Sequence, residues 1–349
     1  MNASTSVGSC TVHGHLDDPE VAGRWSEAVR GGPPQLSVRW LTCHAGSFAR
    51  PPSYVVANGA DGRPDAVAVF HVRRPGDHHT KYRLEAHVAD TSALPPGALD
   101  APAVVVVAPS AYTSGLYVRD GLPPDRVHAA VAAVRRAVTE AGRAEGARTV
   151  LLPHLGVEAR DWFADGVRFP MTPSAYLDLG AARSFDDYLA TLPPKRRRET
   201  MRERRAFAAA GLSIRVSPTL HPIERLVERQ VAHYGRYGLA ADPARITEQF
   251  RSLAEHYGDD LLLFAVLRGT DEVGHVVVAR EGEWMVAKLA GFHGRESYAY
   301  FEATYYAVID WAVRHPGRTL IDYGGAAIDA KERRGCVVRP LSGAVLAVH

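Results

Sequence analysis

The sequence predicts an α/β fold divided into two domains, and three observations support this prediction. The chain has 349 residues, about twice the length of an ordinary single domain. Its hydrophobic content of 46% and charged content of 23% are typical of globular proteins with ample core material. Short apolar runs of strand length alternate with amphipathic helical patterns in both halves of the chain.

The first domain is predicted to span residues 1–173. Its clearest helix lies at 124–143, where Val127, Val131, Val134 and Val138 recur at intervals of three or four residues. The order strand, strand, strand, helix, strand is that of an α/β domain with short crossovers. The predicted elements are a helix at 20–30, strands at 54–57, 66–73, 83–88 and 103–108, the helix at 124–143, and a strand at 149–152.

The second domain is predicted to span residues 174–349. Ser184 caps its first helix, and Pro193-Pro194 ends it. Three strand-like runs joined by glycine-containing turns form an antiparallel meander in the middle of this domain. The predicted elements are strands at 174–179, 214–217, 261–268, 272–280, 283–289 and 319–322, one or two strands within 337–348, and helices at 185–192, 195–210, 223–237, 243–257 and 299–314.

Two short segments concentrate positive charge, although the whole chain carries only +2. Residues 195–205 contain seven basic and two acidic residues, so the local charge is 7 − 2 = +5. Lysine and arginine at this density bind phosphates without reading base sequence. A solvated helix face, whose aliphatic stems cover the surface, is the alternative. The second segment places Lys331, Arg333 and Arg334 shortly after a Gly-Gly turn.

Several functional classes are disfavoured by the motifs that the sequence lacks. Its three cysteines, Cys10, Cys43 and Cys336, are far apart and form no Cys-x-x-Cys pair, which predicts neither a disulfide framework nor a zinc site. No apolar run has the length of a membrane span, and the first residues do not have the pattern of a signal peptide. Walker A, G-x-G-x-x-G, H-E-x-x-H and G-x-S-x-G are absent. We therefore expect a cytoplasmic protein without a bound metal.

Two stretches carry a resemblance to a known family. LPPKRRRETMRERR and YFEATYYAVIDWAVRHPGRTLIDYGGAAIDAKERRG resemble the C-terminal domain of the Fem-type, or peptidoglycan-biosynthesis-type, branch of the GNAT acyltransferase superfamily. The match covers about half of the chain, whereas the first half resembles a degenerate first domain only loosely. The resemblance implies two tandem GNAT-like domains, each a mixed, mostly antiparallel sheet flanked by helices. It also implies acyl or aminoacyl transfer to an amine, by the second domain.

The donor implied by the resemblance is either aminoacyl-tRNA or acyl-CoA. Domains that use acyl-CoA have an Arg/Gln-x-x-Gly-x-Gly/Ala loop before the central helix, whose backbone N–H groups hold the pyrophosphate. Residues 290–297, AGFHGRES, keep only part of this pattern, and Glu296 adds a negative charge. Aminoacyl-tRNA is therefore the predicted cosubstrate, with no permanently bound cofactor. Acyl-CoA remains an alternative, as does a non-catalytic RNA-binding protein on a decayed GNAT fold.

The resemblance also implies the site residues. Lys331 matches the lysine that Fem-type enzymes keep in the substrate channel, where a cation would stabilise an oxyanion; a surface lysine is the alternative. Glu302 is either a general base for the incoming amine or a salt-bridge partner. The predicted donor-binding residues are Lys195, Arg197, Arg198, Arg202, Arg205, Arg333 and Arg334, and the predicted pocket residues are Tyr300, Tyr305, Asp322, Tyr323, His233 and Tyr237.

The predicted partners are tRNA and a small-molecule amine acceptor. The acceptor is either a small metabolite or a cell-wall precursor, and the sequence does not separate these two classes. It also leaves open whether the protein is a monomer or a homodimer. Several of the aromatic pocket residues have core packing as their alternative role, and His233 has that of a hydrogen-bonded histidine at a helix end.

Overall fold

The chain divides into two units, Met1–Pro173 together with Arg339–His349, and Ser174–Val338. The structure is a computed structural model that describes residues 9–48, 50–77, 82–220, 222–294, 298–315, 317 and 319–348. The sequence analysis places residues 339–349 in the second domain, whereas the structure places them in the first unit. The reason is strand pairing, because Ser342–Ala347 pair with a strand of that unit.

The first unit is built around a long helix whose valines pack on a sheet. Pro123-Pro124 starts this helix, and Val131, Val134 and Val138 are buried. Its helices and strands are β1 (Cys10–His13), α1 (Pro19–Ala28), α2 (Val38–Cys43), β2 (Ser53–Asn58), β3 (Pro64–Arg73), β4 (Ala103–Val106), β5 (Leu116–Val118), α3 (Pro124–Ala144), β6 (Thr149–Leu155) and β7 (Val167–Asp178), whose last residues belong to the second unit.

In the second unit, side-chain caps and prolines set the helix starts. The Ser184 hydroxyl accepts a hydrogen bond from the backbone N–H of Asp187 at 3.1 Å, and Asp242 caps a later helix. The helices and strands are α4 (Phe185–Thr191), α5 (Pro194–Ala209), β8 (Leu212–Ser217), α6 (Ile223–Gly235), α7 (Pro243–Tyr257), β9 (Leu261–Arg268), β10 (Asp271–Glu281), β11 (Trp284–Phe292), α8 (Ala299–Phe301), α9 (Ala307–Arg314), β12 (Leu320–Asp322), α10 (Ile328–Glu332) and β13 (Val337–Ala347), whose residues from Arg339 onward belong to the first unit.

The sheet of each unit is mixed and mostly antiparallel. In the first unit the strand order is β1-β2-β3-β4-β6-β13, with β5 paired to β3 and a parallel pair of β4 and β6. In the second unit the order is β7-β12-β11-β10-β9-β8, and β11 pairs with β12 in parallel. The predicted meander is present as β9, β10 and β11. The predicted α/β fold class with mostly antiparallel sheets is therefore confirmed.

Some local predictions are wrong or incomplete. Residues 83–88 are not a strand but contain the 3₁₀ turn Leu84–Ala86, because a single apolar run gives no information on whether a partner strand exists. The sequence analysis also missed the short elements β1, β5, α2 and α10. The patterned helices and strands agree with the structure to within a few residues at their ends, apart from β7, which begins seven residues before the predicted 174.

Candidate functional site

The helical run at residues 299–314, here called the aromatic helix, carries most of the aromatic side chains of the site. It consists of α8, a π-helical turn at Glu302–Tyr306, and α9 without a break. A π-helical turn is a rare distortion that is often found at functional sites. Tyr305 and Tyr306 are buried in this turn, whereas the Tyr300 side chain is among the exposed large apolar ones.

The segment 323–327, here called the strained turn, joins β12 to α10 through an unusual backbone. Gly324 has a φ of 63°, Ala326 of 61° and Ala327 of 44°. The left-handed region costs a residue with a Cβ atom about 1–2 kcal/mol. Because such strain persists only where neighbouring groups hold it, the contacts that hold this turn identify a constrained site.

Lys331 on α10 supplies those contacts. Its Nζ donates hydrogen bonds to three backbone carbonyls of the turn, those of Tyr323 (2.8 Å), Gly324 (2.8 Å) and Gly325 (2.5 Å). An ammonium group has three hydrogens, so no donor remains for the oxyanion of a bound substrate. Lys331 can act on a substrate through its fixed charge and through the shape of the turn that it holds.

The environment of Lys331 lowers its proton affinity. Burial lowers the pKa of Lys331 from 10.5 to about 8, and the nearby charge of Asp322 opposes this shift. The Asp322 carboxylate accepts a hydrogen bond from the backbone N–H of Gly324 at 2.6 Å. Within the described residues, no carboxylate forms a salt bridge with Lys331. The ammonium therefore donates its hydrogen bonds to backbone carbonyls, and the charge of Asp322 favours its protonated form through space.

Lys331 lines a cavity of about 190 Å³, here called the lysine pocket. Its walls come from β11, the aromatic helix and the strained turn. β12 pairs in parallel with the first residues of β11, Trp284–Val286. The turn that follows β12 therefore lies beside the second half of β11. The pocket residues are Val276, Ala287, Lys288, Leu289, Ala290, Tyr300, Thr304, Tyr305, Tyr323, Gly325, Ala326, Ala327 and Lys331.

A second cleft of about 310 Å³, here called the basic cleft, lies between α5, the aromatic helix and α10. It brings together charged residues from the two basic segments of the sequence. Four of its residues are arginines and three are acidic, so its net charge is 4 − 3 = +1. The cleft is lined by Arg196, Glu199, Thr200, Arg202, Glu203, Phe301, Tyr306, Asp329, Ala330, Arg333 and Arg334.

Two arginines of the basic cleft already have protein partners. Arg334 is buried, donates to Glu203 at 2.9 Å, and lies over the Phe301 ring at 3.9 Å. Arg196 forms a salt bridge with Glu199 at 2.7 Å. These contacts give both side chains a structural role in shaping the cleft.

Arg202 and Arg333 are the exposed arginines of the basic cleft. Among the described residues, neither side chain forms a hydrogen bond or a salt bridge with another residue. A guanidinium in this situation keeps all its donors for a ligand such as phosphate. The other predicted donor-binding residues, Lys195, Arg197, Arg198 and Arg205, do not line this cleft. Arg197 and Arg205 donate to backbone carbonyls, at 3.3 Å for Leu192 and 3.1 Å for Met201.

A third cleft, of about 430 Å³, is here called the aromatic slot. The rings of His233 and Tyr300 are nearly parallel at 10°, with centroids 6.2 Å apart. Burial, and then the charge of Arg236, lower the pKa of His233 to about 4, so its imidazole is neutral at pH 7. The slot residues are His233, Arg236, Tyr237, Phe292, Gly294, Ala299, Tyr300 and Phe301.

The three clefts meet at the start of the aromatic helix. Phe301 lines both the basic cleft and the aromatic slot, and Tyr300 lines both the aromatic slot and the lysine pocket. The predicted pocket residues therefore fall into two groups that share Tyr300. His233 and Tyr237 are in the slot, whereas Tyr305 and Tyr323 are in the lysine pocket.

Glu302 lines none of the three clefts. Its Oε1 accepts a hydrogen bond from Arg204 at 3.1 Å, and burial raises its pKa while Arg204 lowers it. Of the two roles that the sequence left open, this position favours the salt-bridge partner. Asp322 is buried at the base of the strained turn and lines none of these clefts either. Its contact is with the turn backbone and its charge acts on Lys331.

Sequence reasoning missed several cleft residues. Arg196, Arg236, Phe292 and Phe301 line the clefts but were not predicted to be in the site. For Arg236, its position three residues after His233 on the same helix end was an available signal. The predicted donor loop at 290–297 is described only to Gly294, and Glu296 lies outside the described residues.

A metal-binding cluster and a membrane-spanning helix are both absent from the part of the chain that the structure describes. No group of three or more His, Cys, Asp or Glu side chains is placed to hold a metal ion. No helix there combines the length and the apolar character that crossing a membrane requires.

Solved structures show what this fold is similar to. FemX has a TM-score of 0.63 at 12% identity, over 96% of this chain and 96% of that chain. A tandem GNAT protein from the clavulanic acid biosynthesis pathway has a TM-score of 0.56 at 16% identity, over 98% and 99%. L-PGS from Bacillus licheniformis has a TM-score of 0.54 at 16% identity, over 95% and 92%. At these identities the comparison establishes the fold, and the predicted tandem GNAT-like architecture is confirmed.

Sequence comparison identifies the family. No curated protein sequence matches this chain. A family model does match, over residues 169–349, and it is described as FemAB-like, peptidoglycan biosynthesis/recognition. The match covers more than half of the chain and includes the aromatic helix, the strained turn and α5. The predicted resemblance to the Fem-type branch is therefore confirmed, and the chain belongs to the FemAB-like family.

Proposed function

We propose that this protein is an aminoacyltransferase that moves an aminoacyl group from aminoacyl-tRNA to an amine of a small metabolite or cell-wall precursor. The family and the tandem GNAT fold support acyl transfer. One observation supports aminoacyl-tRNA as the donor. A cleft with unpaired guanidinium groups, a slot of aromatic rings and a pocket with a fixed cation meet at Tyr300 and Phe301.

The reaction is the aminolysis of an ester. The amine nitrogen attacks the ester carbonyl carbon, whose π electrons move to oxygen and form a tetrahedral oxyanion. The bond from this carbon to the ribose oxygen then breaks, and the proton lost by the amine ends on that oxygen as a hydroxyl. The products are an amide and deacylated tRNA, with no covalent enzyme intermediate and no redox step.

The fixed charge of Lys331 is the group that stabilises the oxyanion in this proposal. A charge held in advance costs no reorganisation when negative charge develops, and its effect is larger in a pocket that excludes water. The hydrogen bonds of Lys331 to the strained turn keep this charge in place. Because its donors are occupied, we assign it a through-space effect on the substrate instead of a hydrogen bond.

The basic cleft holds the donor through its phosphates. Arg202 and Arg333 are exposed on two different helices, so a phosphate between them would receive donors from both sides. Two such contacts predict moderate affinity and a slope of log K against log salt of only about −1.4 to −1.8. This arrangement positions the acceptor stem without reading base sequence.

A donor screen tests the proposed function. Purified protein is incubated with amine acceptors and with either a pool of radiolabelled aminoacyl-tRNAs or a panel of radiolabelled acyl-CoAs. We expect label to move to the acceptor from aminoacyl-tRNA, and ribonuclease pretreatment to abolish this transfer. Transfer from acyl-CoA that resists ribonuclease would overturn the proposed donor while keeping acyl transfer. Binding of tRNA without transfer to any acceptor would favour a non-catalytic RNA-binding protein.

A further inference from the structure

The aromatic slot has no part in the transfer step, although it is the largest of the three clefts. Several of its side chains lie at the surface, with Tyr237 exposed at 67% and Tyr300 at 37%. Single exposed aromatic residues need no explanation, but a group of rings around one cleft indicates a binding surface.

The slot has the geometry to hold a flat ring. The rings of His233 and Tyr300 are nearly parallel, with centroids 6.2 Å apart, and the centroid of the Phe292 ring lies 5.8 Å and 5.6 Å from theirs, at interplanar angles of 51° and 60°. A flat ring between two others needs about twice the ~3.4 Å rise of stacked bases. Because the two centroids are 6.2 Å apart, binding of such a ligand requires the Tyr300 ring, which is 37% exposed, to move outward.

The charges of the slot select for a ring that carries negative charge. Among the described residues that line the slot, Arg236 is the only one charged at pH 7, because His233 is neutral and none of them is acidic. The guanidinium of Arg236 donates to His233 Nδ1 at 2.8 Å, which places its charge at the slot. A nucleotide, with its base and phosphate, fits this combination better than an uncharged phenyl group or a cationic ligand.

We infer that the aromatic slot binds the terminal purine nucleotide of the donor, with its base between His233 and Tyr300 and its phosphate facing Arg236. Base stacking on aromatic side chains is a general way of holding single-stranded nucleic acid ends. This rests on the proposed function in that the nucleotide is the 3′-terminal adenosine of tRNA. Coenzyme A also carries an adenine, so the shared chemistry is an adenine nucleotide.

The experiment measures binding and does not depend on turnover. Two RNA minihelices are compared, one ending in CCA and one in which the last nucleotide lacks its base but keeps its phosphate. We expect the protein to bind the complete end about 5- to 150-fold more tightly, the range expected for one stacked base. Equal dissociation constants for the two minihelices would overturn the inference.

Matched variants locate the effect. Tyr300→Leu and His233→Leu keep apolar volume but remove one wall of the slot, and each is expected to reduce the preference for the complete end. Tyr298→Leu is the control, because Tyr298 is close in sequence but lines none of the three clefts. A preference that survives both slot variants would place the base elsewhere and overturn the inference.

Titration with coenzyme A distinguishes failure of the proposed slot from failure of the proposed donor. The same variants are titrated with coenzyme A and with pantetheine, which lacks the adenine nucleotide. Tighter binding of coenzyme A that depends on Tyr300, without binding of either minihelix, would support the slot and overturn tRNA as donor. Binding of both minihelices with equal dissociation constants, and no binding of coenzyme A, would support tRNA as donor and overturn the slot.

Discussion

Two buried charges, Asp65 in the first unit and Lys331 in the second, are stabilised in opposite ways. Asp65 accepts hydrogen bonds from Arg119 at 2.8 Å and from Arg126 at 2.7 Å and 2.9 Å. Among the described residues, the Lys331 ammonium donates hydrogen bonds to carbonyl oxygens of the strained turn and to no carboxylate. Asp65 is therefore paired directly with groups of opposite charge, whereas Lys331 is held by neutral dipoles, with Asp322 acting on it through space.

The difference indicates which charge is available for function. A carboxylate between two guanidinium groups ties β3 to neighbouring segments, and most of its acceptor capacity is used within the protein. A lysine that forms no salt bridge among the described residues, beside a pocket and a strained backbone, is a destabilising arrangement that is retained at functional sites. Asp65 should therefore affect stability, and Lys331 should affect catalysis.

The largest expected effect is on stability, in Asp65→Ala. Removal of Asp65 leaves Arg119 without its salt-bridge partner and Arg126 with Asp61 alone, and we expect a loss of about 3 kcal/mol in the free energy of unfolding. This is the lower end of the range for buried pairs, because the arginine side chains are 19% and 35% exposed. Urea denaturation measures it. Asp61→Ala removes the exposed partner of Arg126 and should have a much smaller effect on stability. Equal losses in the two variants would contradict this assignment.

The next effect is on catalysis, in Lys331→Met. We expect kcat to fall about 100-fold, since one electrostatic contact to a developing oxyanion is removed. The dissociation constant of the donor should stay within about twofold, because the donor phosphates are held elsewhere. Steady-state kinetics and filter binding measure the two quantities. Glu332→Gln, at the exposed neighbouring position of α10, is the control for damage to the helix. An unchanged kcat in Lys331→Met would give Lys331 a structural role only.

A smaller effect concerns the pH dependence of stability. The folded-state pKa of Lys331, about 8, lies below its ordinary value of 10.5. Between these values the unfolded state binds more protons than the folded state, so this lysine makes stability rise with pH in that window. Compared with Lys331→Met, the wild type should gain about 1–2 kcal/mol between about pH 8 and 9.5, and nothing below about pH 7. Urea denaturation across this range measures the difference. Parallel curves for the two proteins would contradict the lowered pKa.

The sequence predicted the elements whose cause is local. The valine spacing of α3, the glycine turns of the meander and the Ser184 cap each act over a few residues, and each is present in the structure. The strained turn shows the limit of such reasoning. A Gly-Gly pair suggests that both glycines take positive φ, yet positive φ occurs at Gly324, Ala326 and Ala327 and not at Gly325.

The candidate site depends on partners that are distant in the sequence. The charge of residues 195–205 is visible in the sequence, but which arginines are available to a ligand is not. Arg334 is held by Glu203, 131 residues away, and Arg204 by Glu302, 98 residues away. The two walls of the aromatic slot come from different helices, His233 near the end of α6 and Tyr300 in α8. Residue types therefore predicted a basic and aromatic site, whereas its division into three clefts required the fold.

The smallest expected effect is on the salt dependence of tRNA binding, and it concerns the exposed arginines of the basic cleft. Arg202→Ser and Arg333→Ser should each reduce the slope of log K against log salt for tRNA binding by about 0.7–0.9, the contribution of one phosphate contact. Arg251→Ser, on the exposed face of α7, is the control and should leave the slope unchanged. Filter binding at several salt concentrations measures it. A slope that is unchanged in both cleft variants would mean that the unpaired guanidinium groups do not bind phosphates. The +5 charge of residues 195–205 would then be a solvated face, and the donor-binding part of the proposed function would fail even if Lys331→Met abolished transfer.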